Sequence, residues 1–139
     1  MSIIVRDSGF GADDWTGTFV GPDAIAANSV ARGLDLPSDT DPEMLAGRLD
    51  CIDLIRIDFP SFADGRGFTI ARQLRLMGYS RRLRARGHVI ADQYAMARRA
   101  GFDEIEISAE LAARQPEDQW LYRANWQAHD YQSRLRRAL

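Results

Sequence analysis

Ile52-Asp-Leu-Ile-Arg-Ile-Asp-Phe59 decides how this chain folds. Ile52, Leu54, Ile55, Ile57 and Phe59 make a nearly continuous apolar run, broken at Asp53, Arg56 and Asp58 and ended by Pro60. A run of that kind predicts a strand in the middle of a sheet. Downstream, Thr69 to Met77 sets Ile70, Leu74 and Met77 at helical spacing and stops at Gly78, after which Leu83 to Arg86 reads as a second strand closed by Gly87. Val89 to Ala100 repeats the helix, with Ile90, Tyr94 and Ala97 on its inner face and Gly101 at its end. Glu104 to Ile107 alternates as the last strand. Upstream, Gly33 to Leu36 is a short strand. Asp39-Thr-Asp41-Pro42-Glu43 opens a helix carrying Leu45 and Leu49, and Gly21-Pro-Asp23 opens another carrying Ala24, Ile25 and Val30.

Strand then helix, on a cycle of about 20 to 30 residues, is the rhythm of βα units joined by right-handed crossovers. The expected fold is α/β: a single domain with about four parallel strands, half-barrel-like or a small open sheet, plus a C-terminal helix. A full eight-stranded barrel takes about 250 residues, and this chain has 139. The reading divides it into an N-terminal extension over 1–21, a βα core over 22–110 and a C-terminal helical segment over 111–139. In that last segment Trp120, Ala124, Tyr131 and Leu135 mark one helix face. Its aromatics serve as a lid on the sheet or as a partner surface.

Composition removes whole classes of chemistry. All 18 basic residues are arginine, so a pyridoxal-phosphate Schiff base, a lysine general base and a Walker-type phosphate loop have no ammonium to use. Cys51 is the one cysteine, which excludes an internal disulfide and any cluster ligated by several thiolates, and it reads as a small core residue. No motif for a nucleotide, haem, iron–sulfur cluster or pyridoxal phosphate appears, which leaves the cofactor unknown. With no signal-type N-terminus and no apolar run near the roughly 20 residues that cross a bilayer, the expectation is a cytoplasmic protein that meets no membrane.

Charge is uneven along the chain. Residues 1–64 carry four Arg against twelve Asp or Glu, while 70–99 carry eight Arg against Asp92 alone. The overall pI near 5.6 and the lack of a nucleic-acid-binding motif point away from nucleic acid. An acidic protein partner, met through Arg72, Arg75, Arg81, Arg82, Arg84, Arg98 and Arg99, fits better, as does a solvated arginine face.

Ligands of parallel α/β sheets bind at the carboxyl ends of the strands. Here those ends are Pro37 to Asp39, Asp58 to Phe68, Gly87 to His88, and Ser108. The second is a nine-residue loop between Phe59 and Thr69, long for such a connection. Gly65, Arg66 and Gly67 in front of Thr69 offer amides and a guanidinium to an anion, or else serve a turn in which Arg66 pairs with Asp64. Asp64 and Asp92 are the candidate catalytic acids, and Asp58, His88 and Gln93 support the loop. His129 has no evident partner. No two-histidine metal spacing occurs, and no metal is expected.

Ile57-Asp-Phe-Pro-Ser-Phe-Ala-Asp-Gly-Arg-Gly-Phe68, Leu83-Arg-Ala-Arg-Gly-His-Val-Ile-Ala-Asp-Gln93 and Met96-Ala-Arg-Arg-Ala-Gly-Phe-Asp103 resemble the bacterial family catalogued as domain of unknown function 934 (DUF934). Asp13-Asp-Trp15 and Leu36-Pro-Ser-Asp39 fit it too, and the likeness covers about residues 3–132. The resemblance implies a link by gene neighbourhood to assimilatory sulfite or nitrite reduction, under an oxidoreductase label. It puts weight on Asp64, Gly65, Arg66, Gly67, Asp92 and Gln93, and less on His88, where the family often has an acidic residue. The leading expectation is an accessory protein of sulfite reduction that binds the sulfite reductase or its electron donor. The alternative is a small enzyme binding an anionic substrate in the Asp64 to Gly67 loop. Pairing of two chains across an open sheet edge is a third.

Overall fold

The computed structural model describes residues 2–23 and 32–127. Seven strands form one sheet: β1 (Ser2–Arg6), β2 (Gly9–Gly11), β3 (Phe19–Val20), β4 (Gly33–Leu36), β5 (Leu54–Phe59), β6 (Arg82–Gly87) and β7 (Glu104–Ser108). The helices are α1 (Arg66–Leu76), α2 (Tyr94–Ala100), α3 (Ala109–Arg114) and α4 (Glu117–Arg123). The strand order is β2-β1-β7-β6-β5-β4-β3. β3 to β7 run parallel, and β1 is antiparallel to both β2 and β7.

The α/β fold is as expected, and all four strands read from the sequence are present. The strand count differs. β1 pairs with β7 through Ser2↔Ser108 to Val5↔Ile105, so the N-terminal residues are integral to the sheet and not an extension. β2 and β3 are too short for a period-two signal. They form the two edges of the sheet, and edges this short resist pairing with a second copy.

Because β4 to β7 lie side by side in chain order, right-handed crossovers place their connections on one face, as in part of a β/α barrel. That face holds the core. Leu34, Ile55, Ile57, Leu83, Ala85, Ile105 and Ile107 alternate inward. Ile70 and Leu74 of α1, Tyr94 and Ala97 of α2, Leu111 of α3 and Trp120 of α4 cover them. Trp120 thus acts as the lid on the sheet, while Tyr131, Leu135 and His129 lie outside the described residues, as does most of the helix expected after Gly21.

Several helix boundaries differ from the sequence reading. The helix expected over Val89–Ala100 is a 3-10 turn, Ala91–Gln93, followed by α2, and the helix expected through Trp120 and Ala124 is the short α4, which ends at Arg123 after α3. The helix expected over Asp39–Leu49 is two 3-10 turns, Pro42–Leu45 and Leu49–Cys51, split where Gly47 adopts φ +78°. Cys51 ends the second turn exposed and is no core residue. α1 starts three residues early because the Asp64 carboxylate accepts the Arg66 N–H at 3.1 Å and caps it, which shortens the loop to Pro60–Gly65. Gly67 then lets α1 approach the sheet, since a Cβ there would sit 2.5 Å from the Phe59 ring.

The opposite face carries charge. Arg84 of β6 is fully buried, with Nε 2.5 Å from Glu104, Nη1 2.8 Å from Glu106 and Nη2 3.1 Å from Asp13. Arg56 of β5 is bidentate to Asp35 at 2.5 and 2.7 Å, reaches across β6 to Glu106 at 3.1 Å, and lies 3.6 Å over the Phe19 ring. Arg82 and Arg6 share Glu104 and Asp14.

Asp13 and Asp14 belong to the segment 12–18, which runs from β2 at one edge of the sheet to β3 at the other. Eight residue steps from Gly11 to Phe19 reach at most about 26 to 29 Å. Six inter-strand spacings of about 4.8 Å make roughly 29 Å on a flat sheet. The strap spans the sheet because the sheet curls around it, so the charged face is the concave one.

Arg84→Ala leaves two buried carboxylates without their shared cation, and urea unfolding is expected to show a loss of about 3 to 5 kcal/mol. Arg72→Ala, at an exposed position, should leave the midpoint unchanged. The strap adds a pH dependence. Burial pushes the Asp13 carboxyl up, but the Trp15 N–H and Arg84 outweigh it, and it lies below the ordinary value of 3.8. Burial is likewise outweighed at Asp14, by Arg82 and Arg6. Depressed carboxyls stabilise the fold above their unfolded value and lose that contribution as pH falls through the lowered folded one. The Asp13→Asn, Asp14→Asn double variant should therefore be less stable than wild type at neutral pH. In a pH series of urea midpoints the gap should close below 3.8.

Candidate functional site

The strap fills the concave face over the first rows of the sheet and leaves the row at the carboxyl ends open. Alternation along β5 and β6 puts Asp58 and Arg86 on that face as register partners, and Glu106 of β7 is next to Arg86. A cavity of about 460 Å³ opens there, lined by Ser2, Asp58, Pro60, Arg86, His88, Glu106 and Ser108 among others. A second, of about 280 Å³, is lined by Pro22, Asp35, Leu36, Pro37 and Arg56, and shares Asp58 and Arg86 with the first. These two side chains stand on the rib between the cavities.

The polar groups of this cleft are unevenly satisfied. Glu106 is buried and engaged by Arg56 and Arg84, and Ser2 donates to it at 3.2 Å. Arg86 meets Glu106 only through Nε at 3.5 Å, and its side chain is 50% exposed. Asp58 is half-buried and, among the described residues, has no hydrogen bond or ion pair. His88 is held by Nδ1 at 3.2 Å from the Phe59 carbonyl, and its ring stands edge-on to Phe62 at 5.1 Å. A carbonyl only accepts, so the neutral ring carries its proton on Nδ1 and presents Nε2 as an acceptor. Ser108 is occupied as the cap of α3, accepting from the Leu111 N–H at 3.1 Å. The arrangement can hold a small polar molecule by charge and move a proton at Asp58 or His88. Among the described residues no three metal-ligating side chains cluster.

In the loop singled out by sequence, Arg66 pairs with Asp64 as in the turn reading. Arg66 is bidentate to Asp64 at 3.0 and 2.8 Å and bonds Ser38 at 2.9 Å. The hydrogen bonds from Arg66 hold the Asp64 carboxyl far below the usual carboxylate range, so it stays ionised and is no proton acceptor near neutral pH. Thr69 and Arg66 line one cavity together with Asp39 and Asp41, whose charges oppose an anion there. Gly65 caps α1, and Gly67 is packed against Phe59. Asp92 is exposed, pairs with Arg123 at 3.0 Å, and lies away from the cleft lining. Gln93 ties the loop to the next element, accepting from the Ile90 N–H and donating to the Phe62 carbonyl.

The arginines of residues 70–99 do not make one surface. Arg84 is buried and Arg82 belongs to the concave ladder. Arg75 binds the carbonyls of Gly101, Tyr79 and Arg81, Arg98 binds the Phe102 carbonyl and Asp7, and Arg81 pairs with Asp53. Arg72 and Arg99 alone of that set are exposed and without a partner among the described residues, and they line a shallow groove with Phe68 and Met96 between α1 and α2. Sequence reasoning missed Arg86, Glu106 and Ser2. The usable signal was the period-two alternation of Arg82, Arg84 and Arg86 against Glu104 and Glu106, which puts all five on one face of adjacent strands.

Among the described residues no helix is long and apolar enough to cross a membrane. No curated protein matches the chain. The family model described as "Bacterial protein of unknown function (DUF934)" matches residues 33–138, which takes in β4 to β7, every helix named above, and both Asp58 and Arg86. The chain therefore belongs to the DUF934 family.

Proposed function

We propose that this protein binds a small polar molecule in the cleft at the carboxyl ends of β5 to β7, with Asp58 and His88 as the groups that accept its protons. The observation that carries this is an unpartnered carboxylate beside a half-free guanidinium, on a face where the other charges are paired. Leaving a carboxylate without a partner costs stability, and such costs concentrate at sites that act on a ligand. Asp58→Asn is thus expected to fold normally and to be as stable as wild type or slightly more so. Its affinity for the bound molecule should fall by about 10- to 100-fold, the worth of one charge-assisted hydrogen bond. Thermal shift across a metabolite panel, followed by calorimetry on the hits, reads both. Equal affinity in the variant would put the site elsewhere.

A second reading is favoured by Arg72 and Arg99, exposed and unpaired beside Met96. In it the protein is an accessory of assimilatory sulfite reduction in the cytoplasm, docking through this groove on the reductase or its electron donor. Charge-steered docking weakens with salt. The Arg72→Glu, Arg99→Glu variant should lose binding to the sulfite reductase of the same organism, and wild-type binding should fall steeply between low and high salt. Salt-insensitive binding, or none, removes this reading.

A further inference from the structure

The charge balance of the concave face narrows the ligand. Arg6, Arg56, Arg82, Arg84 and Arg86 face Asp13, Asp14, Asp35, Glu104 and Glu106, cation matched to anion. Among the described residues Asp58 is the surplus. A simple anion approaching Arg86 meets this uncompensated carboxylate on the next strand, about 4.8 Å away along the hydrogen-bonding direction. A simple cation approaching Asp58 meets the half-exposed Arg86 guanidinium at the same spacing. Each single charge is attracted by one group of the pair and repelled by the other. A molecule that carries both charges close together satisfies both groups at once.

We propose that the cleft takes a zwitterion of the α-amino-acid class. Its ammonium is bound by Asp58. Its carboxylate is bound by the free edge of Arg86, the geometry in which guanidinium grips a carboxylate through two parallel N–H donors. His88 Nε2 and the oxygen of the Ser2 hydroxyl, whose proton goes to Glu106, remain as acceptors for the rest of the molecule. This inference rests on the reading of the cleft as the binding site.

Calorimetry on the whole chain tests it, with the twenty standard L-amino acids as probes, and propionate and ethylamine as the two half-ligands. At least one amino acid is expected to bind at least ten times more tightly than either half-ligand. Asp58→Asn should bring that amino acid down to the affinity of propionate, and Arg86→Gln should bring it down to that of ethylamine. Far-ultraviolet circular dichroism confirms that both variants are folded. If propionate or ethylamine binds as well as the best amino acid, or no amino acid binds while another metabolite binds in an Asp58-dependent way, the zwitterion inference falls and the cleft reading stands. If wild type and the Asp58→Asn, Arg86→Gln double variant behave alike toward every probe and every metabolite of the panel, both fall.

Discussion

The Arg84 guanidinium sits at the middle of the concave face, out of contact with water, and binds β7 through Glu104 and Glu106 and the strap through Asp13. Burying one cation is expensive unless several acceptors surround it. Here those acceptors come from segments far apart in the chain, so the same ion network that neutralises the sheet face also fixes β7 against β6 and seats the strap. Arg56 extends the network to Asp35 on β4, and Arg82 and Arg6 extend it to Asp14 and β1. The apolar side of the sheet is an ordinary packed core. The polar side adds its own constraint on the strand order, because this order brings each guanidinium to a carboxylate.

The same constraint shapes the cleft. A strap that reaches from edge to edge at close to its full extension can cover only a band of the concave face, and it covers the rows that hold Arg82 and Arg84. The row of Asp58, Arg86 and Glu106 lies beyond it. In β/α barrels the corresponding end is where ligands bind, since loops from several strands converge there while the strands keep them rigid. This sheet reaches a similar result with part of a barrel, using the strap in place of the missing interior side chains.

The α/β class and the four parallel strands were legible because Ile52–Phe59 and its neighbours carry strong apolar patterns. β1 was not, since Ile3, Ile4 and Val5 give a run too short to separate from an N-terminal tail, and only its pairing with β7 identifies it. Asp58 and His88, read as supports of the loop, stand at the carboxyl ends of β5 and β6. The weight laid on Asp64 and Arg66 came from their glycine-rich setting, which proves to be a helix cap and a close packing contact. A run of arginines looks like a surface when it is read linearly. Alternation sends Arg82, Arg84 and Arg86 to the concave face, while Arg75 and Arg98 turn back onto backbone carbonyls. Which cations are free is a property of the partners, and those lie up to 98 residues away, as Arg6 and Glu104 do.

That separation governs when the molecule can become itself. During synthesis β4, β5 and β6 emerge with Arg56, Arg82, Arg84 and Arg86 on one face and only Asp35 and Asp58 among their own strands to oppose them. Asp13 and Asp14 of the strap are made earlier, but the acceptors that Arg56, Arg82 and Arg84 share on β7 follow only with Glu104 and Glu106. β1, made first, waits for the last strand before it has an edge to join. The contacts that complete the sheet are therefore its most non-local ones, the kind that is slow to form, and the ion network joins the same distant segments.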